Sequence, residues 1–199
     1  MSASPPAILS AVAAGLVALA AASLLLHGWS EDGVRAFVRA SARVSLILLL
    51  LVFPASSLLR LRPAAVTRWL VRNRRGLGLS FALSQASHLV ALVLLGLFFP
   101  DPFLAGLSAV TLVGGGLAYA LTAAMAATSS DRAIRALGAR RWRALHSVGL
   151  YTLWLLFLNA YVGRASESAA AAVVVAALVA AFLLRARFWL RRRPAAAAG

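Results

Sequence analysis

The chain contains no cysteine. That excludes disulfides, thiolate catalysis and iron–sulfur ligation by its own residues. Lysine is also missing, so all 20 basic residues are arginine. Only five of the 199 residues are acidic, which leaves a formal net charge of +15. No alternating strand pattern is present, and no Gly-rich phosphate loop follows one. If the chain takes part in redox chemistry, its electrons come from another protein.

What fills the chain is hydrocarbon: 62% of it is hydrophobic, with a mean hydropathy of +0.89. A soluble domain of this length needs a more polar surface. An apolar run of about 20 residues spans a bilayer, and six such runs can be drawn, at about 6–27, 38–59, 77–99, 103–127, 143–162 and 169–190. The first has no positively charged leader before it and is longer than a signal-peptide core, so it reads as a retained helix. The sequence thus predicts an all-α membrane protein. It forms one polytopic domain over 1–193, a six-transmembrane-helix bundle, followed by a disordered low-complexity tail at 194–199.

Arginines sort by side. Six lie between Arg60 and Arg75, five between Arg132 and Arg143, and five between Arg185 and Arg193. The intervening loops hold only Arg35, Arg39, Arg43 and Arg164, together with Glu31, Asp32, Asp101 and Glu167. Sixteen against four predicts that the N- and C-termini are both cytoplasmic. The arginine-only, Ala- and Leu-rich composition fits a GC-rich bacterial genome, so the expected location is the bacterial inner membrane. Basic residues flanking apolar helices fit topology signals and anionic lipid head groups rather than nucleic acid.

Other residues mark helix ends and contacts. Trp29, Trp69, Trp142 and Trp189 fall near predicted ends, as interfacial aromatics do, whereas Trp154 lies inside a helix. Pro54 should kink the second helix or end it early. Pro100-Asp101-Pro102 makes a short link that sets the third and fourth helices side by side. Thr111, Gly115, Ala118 and Thr122 form a small-residue stripe on the fourth helix, suited to close packing.

The candidate chemistry lies in histidines, since imidazole in hydrocarbon is costly and usually functional. Phe81, Ser84, Gln85 and His88 share one face of the third helix at helical spacing. Such a face suits a buried prosthetic group, and it equally suits interhelical hydrogen bonding. His146 opens the fifth helix on a face with Gly149, Leu150, Leu153 and Phe157. The glycine there would let a flat macrocycle approach, and an interfacial histidine is the alternative. His27, beside Gly28 and Trp29, reads as a helix-end residue. Arg140, Arg141 and Arg143 can neutralise carboxylates or dock an acidic donor, or they simply set topology.

The segment Thr128–His146 (TSSDRAIRALGARRWRALH) resembles the corresponding region of the ferric reductase-like transmembrane domain family. That family includes haem-binding membrane subunits of periplasmic methionine sulfoxide reductase systems. Arg74–Leu79 with His88-Leu89-Val90 is similar to the family's third-helix start and histidine. Ser45–Arg62, ending in Leu-Arg-Leu-Arg, resembles the helix before it. The resemblance implies haem b held between the third and fifth helices, with His88 and His146 as axial ligands of the iron. It also implies electron passage across the membrane, from a cytoplasmic donor or a quinol to a partner such as a soluble or periplasmic reductase. FMN enters by family analogy only. One departure stands out: the family's second fifth-helix histidine corresponds here to Asn159, whose carboxamide is a poor iron ligand.

Depth sharpens that departure. At 1.5 Å per residue, His88 lies about 20 Å past Arg75, His146 about 5 Å past Arg143, and Asn159 about 24 Å past Arg143. One haem on both histidines needs a steep stagger or a shifted helix. A haem on each, a single haem on His88, or a haem-free scaffold of the same fold are the other arrangements. A small transporter is disfavoured, because no acidic residue sits inside a predicted span.

Overall fold

The structure, a computed structural model, describes residues 5–190, which form ten helices and no strand. They are α1 Pro5–His27, α2 Glu31–Val52, α3 Ala55–Leu61, α4 Ala65–Arg72, α5 Arg74–Phe98, α6 Pro100–Ala105, α7 Ala109–Ala127, α8 Asp131–Leu137, α9 Ala139–Val162 and α10 Ala169–Leu190. Five of them, α1, α5, α7, α9 and α10, are long and apolar enough to cross a membrane. α2 and α3 together make a sixth candidate span, bent by 41° at the break between them.

Pro54 causes that bend. It has no N–H to bond back to Leu50, and its ring crowds that carbonyl. α2 therefore stops at Val52, and α3 restarts after Pro54 with the Ser57 amide bonded to the Pro54 carbonyl at 2.9 Å. The second span also begins earlier than expected, at Glu31. Ser30 caps it by accepting from the Gly33 amide, and Glu31 and Asp32 sit in its first turn, where the helix dipole favours negative charge. The expected fourth span, 103–127, is divided into α6 and α7 by Gly106–Ser108, with Ser108 capping α7. Both arginine-rich loops contain a short helix, α4 and α8. Gly138, at φ +80°, turns α8 into α9 through a conformation that disfavours a Cβ. The tail at 194–199 lies outside the described residues.

α1, α2 and α5 pack as one group, with α2 against α5 the most extensive pairing. α7, α9 and α10 follow in series from α5, and α10 returns to α2 and α3. The main core joins Leu49, Phe53, Leu70, Phe81, Leu153 and Ala181, with Ile8 and Val12 of α1 packed on it. Trp154 explains its own mid-helix position. Its indole donates to the Leu178 carbonyl at 2.9 Å and stacks on Phe182 with ring centroids 4.7 Å apart, which fastens α10 to α9.

The arginine-rich segments meet at one end of the bundle. Arg75 of α5 pairs with Asp131 of α8 at 3.1 Å, and Arg185 of α10 donates to the Phe53 carbonyl at 2.6 Å. Outward faces carry Val17, Leu25, Leu97, Val113, Leu155 and Val173, all exposed, as lipid-facing surface requires.

Candidate functional site: two histidines in two cavities

The α2–α5 contact is a polar seam. Ser45 donates to Ser84 at 2.9 Å, and Ser84 donates to the Ser41 carbonyl at 3.0 Å. Ser41, Ser45 and Ser84 are fully buried. The inward face expected of α5 is therefore present: Phe81, Ser84 and Gln85 are buried, and His88 is half-buried. Its partners on α2 are Ser41 and Ser45. Serines one turn apart in an apolar helix are their signal in the sequence.

His88 closes this seam through Nδ1. Nδ1 lies 3.0 Å from the Val38 carbonyl and 3.0 Å from Ser41 Oγ. A carbonyl only accepts, so Nδ1 carries the proton and Nε2 carries the lone pair. Nε2 has no hydrogen-bond partner among the described residues. Backbone anchoring of one ring nitrogen is how proteins orient the other toward a metal.

His146 has the opposite arrangement. Its Nε2 lies 3.2 Å from Thr128 Oγ1, whose proton is already given to the Ala124 carbonyl at 2.7 Å. The imidazole therefore donates through Nε2. Trp142, one turn earlier, packs its ring on His146 at 4.3 Å and donates to the Thr128 carbonyl at 3.1 Å. Both side chains clasp the end of α7. Gly149 was expected to admit a flat macrocycle. Met125 fills that space instead, and a Cβ on Gly149 would meet its sulfur at 2.6 Å.

The two histidines line different cavities. One, of about 550 Å³ at the arginine-rich end, is bordered by Arg74, Arg75, Phe81, Thr122, His146, Leu150 and Arg185. The other, of about 740 Å³ and more open, is bordered by Arg39, Arg43, His88, Gly115, Tyr119, Phe157 and Arg164. The smaller cavity takes the earlier turns of both α5 and α9 and the other takes later turns of both, so these helices run parallel. Phe157, which borders the His88 cavity, is eleven residues past His146, about 16 Å of helix rise. The two histidines border separate cavities, and this placement does not bring them together.

Asn159 is exposed and lines neither cavity; Phe157, Ala160 and Tyr161 of α9 face His88 instead. His27 is exposed at the end of α1, as expected. Arg143 lines the smaller cavity, while Arg140 and Arg141 are exposed outside both. No cluster of three His, Cys, Asp or Glu side chains able to hold a bare metal ion occurs among the described residues. A haem needs only one protein nitrogen. The donor set fits that requirement at His88, where the lone pair, an apolar slot and three arginines coincide.

Fold and site define a multi-pass α-helical membrane protein with a polar seam between α2 and α5 and cavities that hold His88 and His146. Comparison of the chain with protein-family models, curated proteins and solved structures finds no match.

Proposed function

We propose that the chain is a haem-b-binding electron-transfer subunit of the bacterial inner membrane, passing electrons to a partner reductase or other acceptor. The observation that carries this reading is the His88 imidazole, held by the Val38 carbonyl so that Nε2 keeps its lone pair beside an apolar cavity. A haem bound there would supply a one-electron iron couple in a low-dielectric bundle. The rest falls to the protein. Ser41 and Val38 hold the ring orientation. Gly115 offers a wall without side-chain bulk, and Arg39, Arg43 and Arg164 are placed to neutralise carboxylates. The electron donor is a cytoplasmic redox protein or a quinol, and the acceptor a soluble or periplasmic reductase.

A second reading is a haem-free membrane scaffold or partner subunit of the same fold. It is favoured by the engagement of His146 with Thr128 and by the outward position of Asn159.

An oxidised-minus-reduced absorption spectrum of the purified protein separates the two. The expected result is a sharp reduced α band that disappears in His88→Ala and persists in His146→Ala. Disappearance in both variants would mean that one iron takes both histidines. A protein without a Soret band, after expression with haem precursor, would overturn the electron-transfer reading in favour of the scaffold.

A further inference from the structure

The smaller cavity carries charge that the protein itself leaves unbalanced. Arg74, Arg75, Arg143 and Arg185 border it, against one carboxylate, Asp131, which is paired with Arg75. Arg74 and Arg185 share this lining with His146. Arg185 is drawn inward by neutral groups: the Phe53 carbonyl at 2.6 Å, the Tyr151 hydroxyl at 3.2 Å, and the Phe53 and Tyr151 rings at 4.7 and 4.9 Å. No carboxylate among the described residues pairs with it. Like charges gathered against apolar walls interact more strongly than in water, and an anion between them removes that cost.

An independent observation points into the same space. Thr122 lines the cavity and is buried, with 6% of the residue exposed, and its hydroxyl has no hydrogen-bond partner. A buried hydroxyl without a partner is unusual and marks a place where a ligand or water completes the bonding. Between this hydroxyl and the arginines the wall is apolar, made by Leu49, Phe81, Leu150 and Leu153. A free phosphate would satisfy the cations and leave that wall empty. An amphiphile covers both.

We infer that this cavity is a binding site for an anionic phospholipid. Its phosphate is held by Arg74 and Arg185, a chain lies along the Leu49–Leu153 wall, and Thr122 donates to its glycerol ester region. Basic pockets between helices at the arginine-rich face of membrane proteins suit such head groups. At about 550 Å³ the space lies within the size range of small-ligand sites. His88 is not involved, so this inference stands apart from the haem reading.

Native mass spectrometry of the full chain in neutral detergent tests it, with phosphatidylglycerol, phosphatidylcholine, inorganic phosphate and FMN added separately. The expected result is one retained phosphatidylglycerol and no retained phosphatidylcholine. Arg74→Gln with Arg185→Gln should weaken retention by about tenfold or more, the scale of a lost charge-assisted contact. Arg60→Gln with Arg62→Gln, two exposed arginines outside the cavity, should leave it unchanged. Thr122→Val, close to the same shape, keeps the fold testable and should also weaken retention. Equal loss in both arginine pairs would overturn the site in favour of diffuse attraction. Equal retention of phosphatidylcholine would overturn the role of charge. Displacement by phosphate or FMN would make the ligand a soluble phosphate compound, and a Soret band lost with Arg74 and Arg185 would make it a haem carboxylate.

Discussion

His88 and His146 are the same residue type in the same membrane, and their hydrogen bonds set them apart. His88 donates through Nδ1 to a backbone carbonyl and keeps Nε2 for a ligand. His146 spends Nε2 on Thr128 and holds α7 to α9. Ser84→Ala removes the links to Ser45 and the Ser41 carbonyl and should destabilise the α2–α5 seam by about 1 kcal/mol, the scale of interhelical hydrogen bonds in membranes. Denaturant titration in mixed micelles measures this. Thr122→Val should act in the opposite direction on the ligand-free protein, since it exchanges an unsatisfied hydroxyl for a methyl group; a gain of about 1 kcal/mol is expected in the same titration. The inward face of α5 was legible in the sequence because Phe81, Ser84, Gln85 and His88 recur at helical spacing. The direction of Asn159 was not. Spacing alone leaves the rotation of α9 about its axis free, and packing against α7 and α10 turns Asn159 outward.

At the scale of helices, breaks and clamps decide the geometry. Pro54 stops α2 and lets the Ser57 amide bond to the Pro54 carbonyl. The Phe53 carbonyl is then taken by Arg185, which ties α10 to the bend. Trp154→Ala removes the other clamp on α10 and should cost about 3 kcal/mol, with α10 becoming more open to protease in micelles. Gly149→Ala forces Met125 aside and should cost about 1–3 kcal/mol. Pairing it with Met125→Ala should recover part of that loss, which a double-mutant cycle in the same titration reads directly. Pro54 was legible as a breaker because its covalent ring removes a donor wherever it stands. The occupation of the Gly149 groove by Met125 was not, because it depends on how closely α7 approaches α9.

Over the whole molecule, the three arginine-rich segments meet at one end, joined by Arg75–Asp131 and Arg185–Phe53. The absence of cysteine makes the chain a ready background for accessibility labelling. Arg62→Cys and Arg135→Cys should react only from the cytoplasmic side of intact cells, and Asp32→Cys and Ser166→Cys only from outside; the reverse pattern would invert the topology. Composition by itself determined that this is a helical membrane protein and roughly where its spans run, because a bilayer demands long apolar segments with every backbone group bonded internally. Arginine distribution by itself assigned its loops to two sides. Only the tertiary structure decided that His88 and His146 stand in separate cavities, that His88 is anchored through Nδ1 and His146 through Nε2, and that four arginines border one pocket. These depend on the rotation and stagger of neighbouring helices, which side-chain packing sets and linear spacing does not encode.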